Sequence, residues 1–180
     1  MDSIAELIQK TRAGNQQAYD ELVRRWSARL FTYVRARVRN EHMAEELTQD
    51  AFVKAYCMLA KLRDPDKFGP WLFSIAHRLV LDWSQKKERN EINLNEKQSE
   101  ALSPYEQDQD SHGSLDALRR SLDHLPAPLR EAIYTYYFGK MTYQDAAEAL
   151  GVSVGTINAR LAKARAMLRK KIALQQGEVH

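Results

Sequence analysis

In every well-patterned segment of this 180-residue chain, apolar residues recur at spacings of three and four, and no strand alternation or Asn-Gly hairpin signal is present. The period predicts an all-helical protein. Ile4, Leu7 and Ile8 give a short first helix that Gly14 stops. Asn15 can cap a longer one, with Tyr19, Leu22, Val23, Trp26, Leu30, Val34 and Val38 inward and Arg24, Arg25, Arg29, Arg35, Arg37 and Arg39 outward. Asn40 caps a third, whose inner stripe is Ala44, Leu47, Ala51, Phe52, Ala55, Met58 and Leu62. The stretch "RDPDK" interrupts it, because Pro65 lacks an amide donor and holds Asp64 extended. A fourth helix resumes in "FGPWLFSIAHRLVLDWSQKKER", with Pro70 suited to the first helical position and Leu72, Ile75, Ala76, Leu79 and Trp83 inside. These helices make a first domain over residues 1–90.

The second half repeats the pattern after a gap. A helix over Leu115 to Leu125 meets a break at Pro126 and Pro128, and another runs through Tyr137 to Gly139. In "MTYQDAAEALGVSVGTINARLAKAR", Thr142 with Asp145 resembles a capping box, so a two-turn helix reaches Leu150. Gly151 permits the left-handed backbone of a sharp turn, Ser153 can cap the last helix, and Ala146 and Ala147 are small where helices must cross. This is the layout of a helix-turn-helix. In its last helix Ile157, Leu161, Ala164, Leu168 and Ile172 face inward, while Ala159, Ala162, Lys163, Ala166 and Lys170 face out.

Charge divides the chain further. The net value is +3, yet residues 1–90 hold 16 Lys and Arg against 12 Asp and Glu, residues 115–180 hold 10 against 6, and residues 91–114 hold one against six. Two basic domains, 1–90 and 115–175 with a tail at 176–180, are therefore expected on a flexible acidic linker whose composition is too polar to order itself. Arg160 to Lys171 carries six cations and no carboxylate. A basic amphipathic helix alone is as often a solvated surface. Joined to the caps, the glycine turn and the paired alanines, it points to duplex DNA. Ser153, Gly155 and Thr156 would offer helix N-terminal amides to a phosphate; Asn158, Ala159, Ala162 and Lys163 would meet base edges; Arg160, Arg165 and Arg169 would lie nearer the backbone.

The lone Cys57 cannot form an internal disulfide, and its helical setting suggests packing in a reduced compartment. The start "MDSIAELIQK" is amphipathic, and no stretch approaches the roughly 18 apolar residues of a membrane span, so a soluble cytoplasmic protein without membrane insertion is expected. HExxH, P-loop, GxSxG and Cys/His signatures are missing. The best case for an enzyme is a metal site at Glu41, His42, Glu45 and Glu46; the expectation is no catalytic residue, metal or cofactor.

Two stretches carry a family likeness. "AEELTQDAFVKAY" with "FGPWLFSIAHRLVLDW" resembles the sigma-2 domain, and "LPAPLREAIYTYYFGKMTYQDAAEALGVSVGTINARLAKAR" the sigma-4 domain, of extracytoplasmic-function RNA polymerase sigma factors of the sigma-70 family. The resemblance implies a dissociable initiation factor. Glu46, Leu47, Gln49, Asp50 and Phe52 match the motif that docks on the clamp helices of the polymerase β′ subunit, and the second domain would meet the β flap. Arg63, Lys67, Phe68, His77, Arg78, Asp82, Gln85 and Lys86 fall in the part that binds and opens the minus-ten element, with Phe68 able to stack on an unpaired base; Trp71 and Trp83 read as core. Ser153, Gly155, Thr156, Asn158, Ala159, Arg160, Lys163 and Arg165 fall in the part that binds the minus-thirty-five element. Arg78 stands where members usually carry asparagine, and Asn158 and Ala159 stand where Lys or Arg and Ser are usual. The linker would thread toward the RNA exit path or serve as a charged spacer. An anti-sigma protein is an expected partner. The competing reading is a stand-alone helix-turn-helix regulator, which leaves the first domain without a task.

Overall fold

The computed structural model describes residues 2–38, 40–97 and 120–177, with side chains for all of these except 90–97, 172 and 174–177. Helix boundaries follow cap chemistry. Ser3 and Glu6 exchange side-chain and backbone hydrogen bonds at the start of α1 (Ile4–Arg12), a capping box not among the expected caps. Asn15 accepts the Ala18 amide at 3.1 Å, opening α2 (Gln16–Val38). Asn40 does the same for Met43 at 2.8 Å, opening α3 (Glu41–Met58). The expected interruption is a pair of 3-10 turns, Leu59–Lys61 and Pro65–Lys67, the second capped by Asp64. Helix α4 spans Phe68–Lys97, so Pro70 lies third in its first turn rather than first, and the backbone stays helical past residue 90.

A helical turn at 120–123 precedes α5 (Ala127–Ile133), which widens into a π-helical turn at Tyr134–Phe138. Helices α6 (Tyr143–Leu150) and α7 (Val154–Gly177) complete the chain, and among the described residues there is no strand. Nor, among them, is any helix long and apolar enough to cross a membrane. Most of the 91–114 segment expected as a linker lies outside the described residues, as do Arg39, Leu115 and the side chain of Ile172.

The first unit packs α1 to α4 around Ile8, Leu22, Leu30, Val34, Leu72, Phe73 and Val80, all essentially without solvent contact. Trp26 of α2 stands edge-on to Phe68 at 6.0 Å and to Phe73 at 6.4 Å. Gly69 is what lets α4 come this close, since a Cβ there would lie 2.4 Å from the Trp26 ring. The second unit closes around Ile133, Ala146, Ala147, Ile157, Leu161 and Ala164. It lies against the first, α6 along α4 and the π-helical turn against α2, so the buried residues of both form one continuous cluster.

Several expectations change in this packing. Trp26, expected inside, is only partly buried: its ring packs against Phe68, Gly69 and Phe73 of α4 and carries the Arg29 guanidinium 5.0 Å from its centre. Arg25, Arg29 and Arg37, expected on the outer face, are partly buried, since each finds acceptors on another turn or helix. Cys57 is exposed instead of packed. Trp71 and Trp83 do sit partly buried against the core.

Substituting Gly69→Ala is expected to lower the urea unfolding midpoint, by about 1–3 kcal/mol of stability, because the Trp26 ring is held by two aromatic neighbours and cannot swing aside freely.

Candidate polymerase and nucleic-acid interfaces

Helix α3 buries one face and presents the other. Ala44, Leu47, Ala51, Phe52 and Ala55 point into the core, while Glu45, Glu46, Gln49 and Asp50 are exposed in two adjacent pairs a turn apart. Of the five residues expected to dock on polymerase, then, Glu46, Gln49 and Asp50 are free to touch a partner. Leu47 at 6% exposure and Phe52 at 7% lie beneath them, Phe52 keeping only an edge toward the surface. Sequence reasoning missed the neighbours. Val53 is 56% exposed and Tyr56 50%, and with Val23, Phe31 and the edge of Phe52 they floor an open groove of about 760 Å³ between α2 and α3, with Glu45 and Gln49 on its rim. Two apolar residues off the buried stripe of an otherwise polar face were the available signal. Tyr19 secures the groove's wall by donating its hydroxyl to the Phe52 carbonyl at 2.5 Å, and burial pushes its ionisation up. The four residues weighed as a metal site give no such site: among the described residues no three His, Cys, Asp or Glu side chains gather, and His42 merely lies 3.6 Å from Glu46.

The residues expected at the minus-ten element separate into two groups. Arg63, Arg78, Asp82, Gln85 and Lys86 are exposed, the last four along one side of α4. Phe68 has no exposure at all and cannot stack on a base, because the first residue of α4 is wedged between Trp26 and Trp71. Lys67 and His77 point to the second unit. Lys67 pairs with Glu148 of α6 at 2.9 Å, which raises the lysine's pKa chiefly through that contact. His77 joins Arg37 and Glu131 in a cluster that water barely reaches.

That cluster is specific in geometry. Arg37 donates to Glu131 Oε1 at 2.7 Å and to the Tyr33 hydroxyl at 2.7 Å, and its Nη1 lies 3.0 Å from His77 Nδ1. With Nδ1 unprotonated, the imidazole accepts from Arg37; with it protonated, it can donate to Glu131 Oε2, 3.4 Å away and otherwise without a hydrogen-bond partner. Burial would push the Glu131 carboxyl up, but His77 and Arg37 outweigh it and hold the group below its ordinary range. Tyr33 is wholly enclosed, and burial pushes its hydroxyl up to about 12.

The helix-turn-helix is built as its sequence implies. The Asp145 amide donates to Thr142 at 3.1 Å, Gly151 takes φ +65°, and Ser153 accepts the Thr156 amide at 3.1 Å. Ile157, Leu161 and Ala164 are buried to 0% exposure, which turns Asn158, Ala159, Ala162, Lys163 and Ala166 to solvent. Ser153 and Gly155 are exposed at the helix start, Thr156 and Arg160 partly so. Arg165 is already engaged. Its guanidinium donates to the Tyr137 hydroxyl at 3.0 Å and the Tyr143 hydroxyl at 3.4 Å and lies over the rings of Tyr136 and Tyr137; the two hydroxyl contacts raise its pKa. It ties α7 to the π-helical turn, and the tyrosines that hold it were not legible as its partners.

Both units are similar to known proteins. Residues 22–90 match the family description "Sigma-70 region 2" and residues 115–168 match "Sigma-70, region 4". The chain is 26% identical over 180 residues to the ECF RNA polymerase sigma factor SigW of Bacillus subtilis, covering 94% of this chain and 96% of that one. It is 27% identical over 170 residues to the RNA polymerase sigma factor YlaC of the same organism, covering 91% and 97%. Among solved structures, CnrH in complex with the cytosolic domain of CnrY superposes with a TM-score of 0.71 at 27% identity, covering 93% of this chain and 96% of that chain.

The lowered Glu131 pKa gives a pH dependence with a definite sign. Its contribution to stability is complete above the ordinary value of 4.5 and is lost as pH falls through the depressed folded value. The gap in urea midpoint between the natural protein and Glu131→Gln should therefore hold steady from pH 7 to 5 and shrink below about pH 4.5; a gap independent of pH would mean the carboxylate is not engaged.

Proposed function

The chain belongs to the sigma-70 family of RNA polymerase sigma factors, in its extracytoplasmic-function branch, and from that premise we propose how its surfaces divide the work of initiation. It binds core RNA polymerase and directs the recognition and opening of promoters. The α3 face docks on the β′ clamp helices. Glu45, Glu46, Gln49 and Asp50 meet basic side chains there, and the apolar groove floored by Val53 and Tyr56 takes an apolar ridge between them. An acidic rim over an apolar floor suits a partner helix better than nucleic acid, which would be repelled by the carboxylates.

Arg63, Arg78, Gln85 and Lys86 face the minus-ten region, the cations holding phosphates while strand separation proceeds. Opening needs no catalytic group. Capture of an unpaired base supplies free energy against the few kcal/mol of lost stacking. The exposed start and outer side of α7 enter the major groove at the minus-thirty-five element: Ser153, Gly155 and Thr156 at a phosphate, Asn158, Ala159 and Lys163 along base edges, Arg160 nearer the backbone. Asn158 can read an adenine through paired hydrogen bonds. Arg165 positions the helix and does not touch DNA. The second domain also meets the β flap.

These tasks place the protein with the polymerase in the cytoplasm. Its structural neighbour CnrH was solved with a protein partner, the cytosolic domain of CnrY. By analogy this chain is held by an anti-sigma protein until its signal arrives. The observation that carries the assignment is the pairing, in one chain, of the groove on α3 with the exposed recognition face on α7; a free-standing regulator has use only for the second.

Run-off transcription with core polymerase on a randomised promoter library tests the whole reading: selective start sites are expected, and core enzyme that initiates no differently with and without the protein would end it. Reversing charge at Glu46 and Asp50, or placing Val53→Glu in the groove, should weaken polymerase binding at least about tenfold with helical content unchanged. Neutralising Arg160 and Lys163 should lower the dependence of promoter affinity on salt by about one to two counterions in slope, and an unchanged slope would remove both from the phosphate contacts.

A further inference from the structure

We propose that base choice at the minus-thirty-five element is made chiefly by one side chain, Asn158, which selects adenine, and that Tyr137 and Tyr143 keep it so by holding Arg165 off the duplex. This choice of base rests on the assignment of α7 made above.

The N-terminal turns of a helix in the major groove are the ones that reach base edges. In α7 these are residues 154–161, and most of their side chains have nothing to offer a base. Ile157 and Leu161 are buried, while Val154, Gly155 and Ala159 carry no hydrogen-bonding group. Thr156 is occupied: its hydroxyl lies 2.8 Å from that of Ser153, whose oxygen also accepts the Thr156 amide. That leaves Asn158 and Arg160, which stand about 160° apart around the helix and so face opposite flanks. Asn158 is exposed, and among the described residues nothing bonds to its side chain. Asparagine is also a poorer helix former than alanine, lysine or arginine, so the helix gains nothing from it. Its carboxamide sets an acceptor beside a donor. Adenine presents N6–H beside N7 in the major groove and satisfies both; guanine presents two acceptors, one of which would face the Asn158 oxygen.

Arg165 is the competitor. It stands about two turns after Asn158 on the same flank, where a free guanidinium would hold a phosphate or a guanine. The chain engages it instead. Its Nε donates to the Tyr137 hydroxyl at 3.0 Å and its Nη2 to the Tyr143 hydroxyl at 3.4 Å, and its charge lies 5.8 Å from the centre of the Tyr136 ring and 5.7 Å from that of Tyr137. The tyrosines brace one another, Tyr136 packing on Tyr137 at 4.9 Å and on Tyr143 at 5.0 Å. The other cations are remote from Asn158: Lys163 is turned from it by about 140°, and Arg169 follows about 16 Å further along the axis. A flank cleared of cations over two turns leaves the choice of base to the carboxamide.

The full chain assembled with core polymerase, offered a promoter library randomised across the minus-thirty-five window, should fix an adenine there. Replacing that adenine by guanine should weaken binding by about 5- to 150-fold, and replacing it by 7-deazaadenine, which lacks only N7, by part of that. The Asn158→Ala protein should bind the adenine and 7-deazaadenine fragments equally. A variant that still discriminates them, or a natural protein indifferent to N7 at every adenine of the element, overturns the role of Asn158. Absence of any enriched sequence with either protein counts instead against the assignment of α7, and the choice of base falls with it. Tyr137→Phe with Tyr143→Phe frees Arg165, and with circular dichroism unchanged it should raise the salt slope of binding by about one and shrink the N7 effect. Should the pair lose helical signal, Tyr137→Phe alone carries the same expectation; an unchanged slope and N7 effect in a folded variant overturn the part given to the tyrosines.

Discussion

Phe73 is the residue on which the two halves of the molecule depend. Its ring is fully buried, 5.1 Å from Tyr33 and 6.4 Å from Trp26, lies under the Arg29 guanidinium, and touches the place where a side chain at Gly139 would be. One aromatic side chain thus belongs to two cores. Because it projects from α4, whatever sets α4 against α2 also sets where the second unit can sit. Gly69 sets the first spacing and Gly139 the second, and in both cases the absence of a side chain lets backbone lie against an aromatic ring, Trp26 in the first and Phe73 in the second.

The polar contacts around this ring do a different job from the apolar ones. Removing charges from water offsets much of what their attraction returns, so the Arg37–Glu131 pair at 4% and 16% side-chain exposure is weak evidence for stability. It is better evidence for a defined arrangement. An apolar face can slide by a turn and stay covered; a carboxylate that must meet a guanidinium and an imidazole cannot. Oriented hydrogen bonds at Glu131, Gly139 and Lys140 fix the register that Phe73 alone would leave loose.

The range of each interaction decides how far the sequence could be read. Asn15, Asn40, Thr142 with Asp145, Gly151 and Ser153 were legible because a cap or a left-handed turn is decided within three or four residues. The inward stripe of α7 was legible for the same reason. Phe68, Lys67, His77, Arg29 and Arg37 were not, because the neighbours that decide their exposure are more than 40 residues away in sequence. An aromatic at a helix start and an arginine on an outer face are read as exposed by default, and only the packing of a distant helix or a second unit reverses that. The groove on α3 was half legible: its acidic rim stood out, while Val53 and Tyr56 looked incidental until α2 supplied the other wall.

Packing also changes what the positive charge of this chain means. A count of 27 Lys and Arg suggests abundant contacts to DNA. Yet Arg25 is paired with Glu21, Arg29 and Arg37 are committed between the two units, Lys67 is paired with Glu148, and Arg165 is held by two tyrosine hydroxyls. The cations left outward on the assigned DNA faces are divided between two domains, chiefly Arg63, Arg78 and Lys86 in the first and Lys163, Arg169 and Lys170, with Arg160 partly outward, in the second. Neither domain by itself has the phosphate contacts of a tight binder. Affinity must come from joining two weak sites, and joining raises effective concentration only when geometry lets both engage at once.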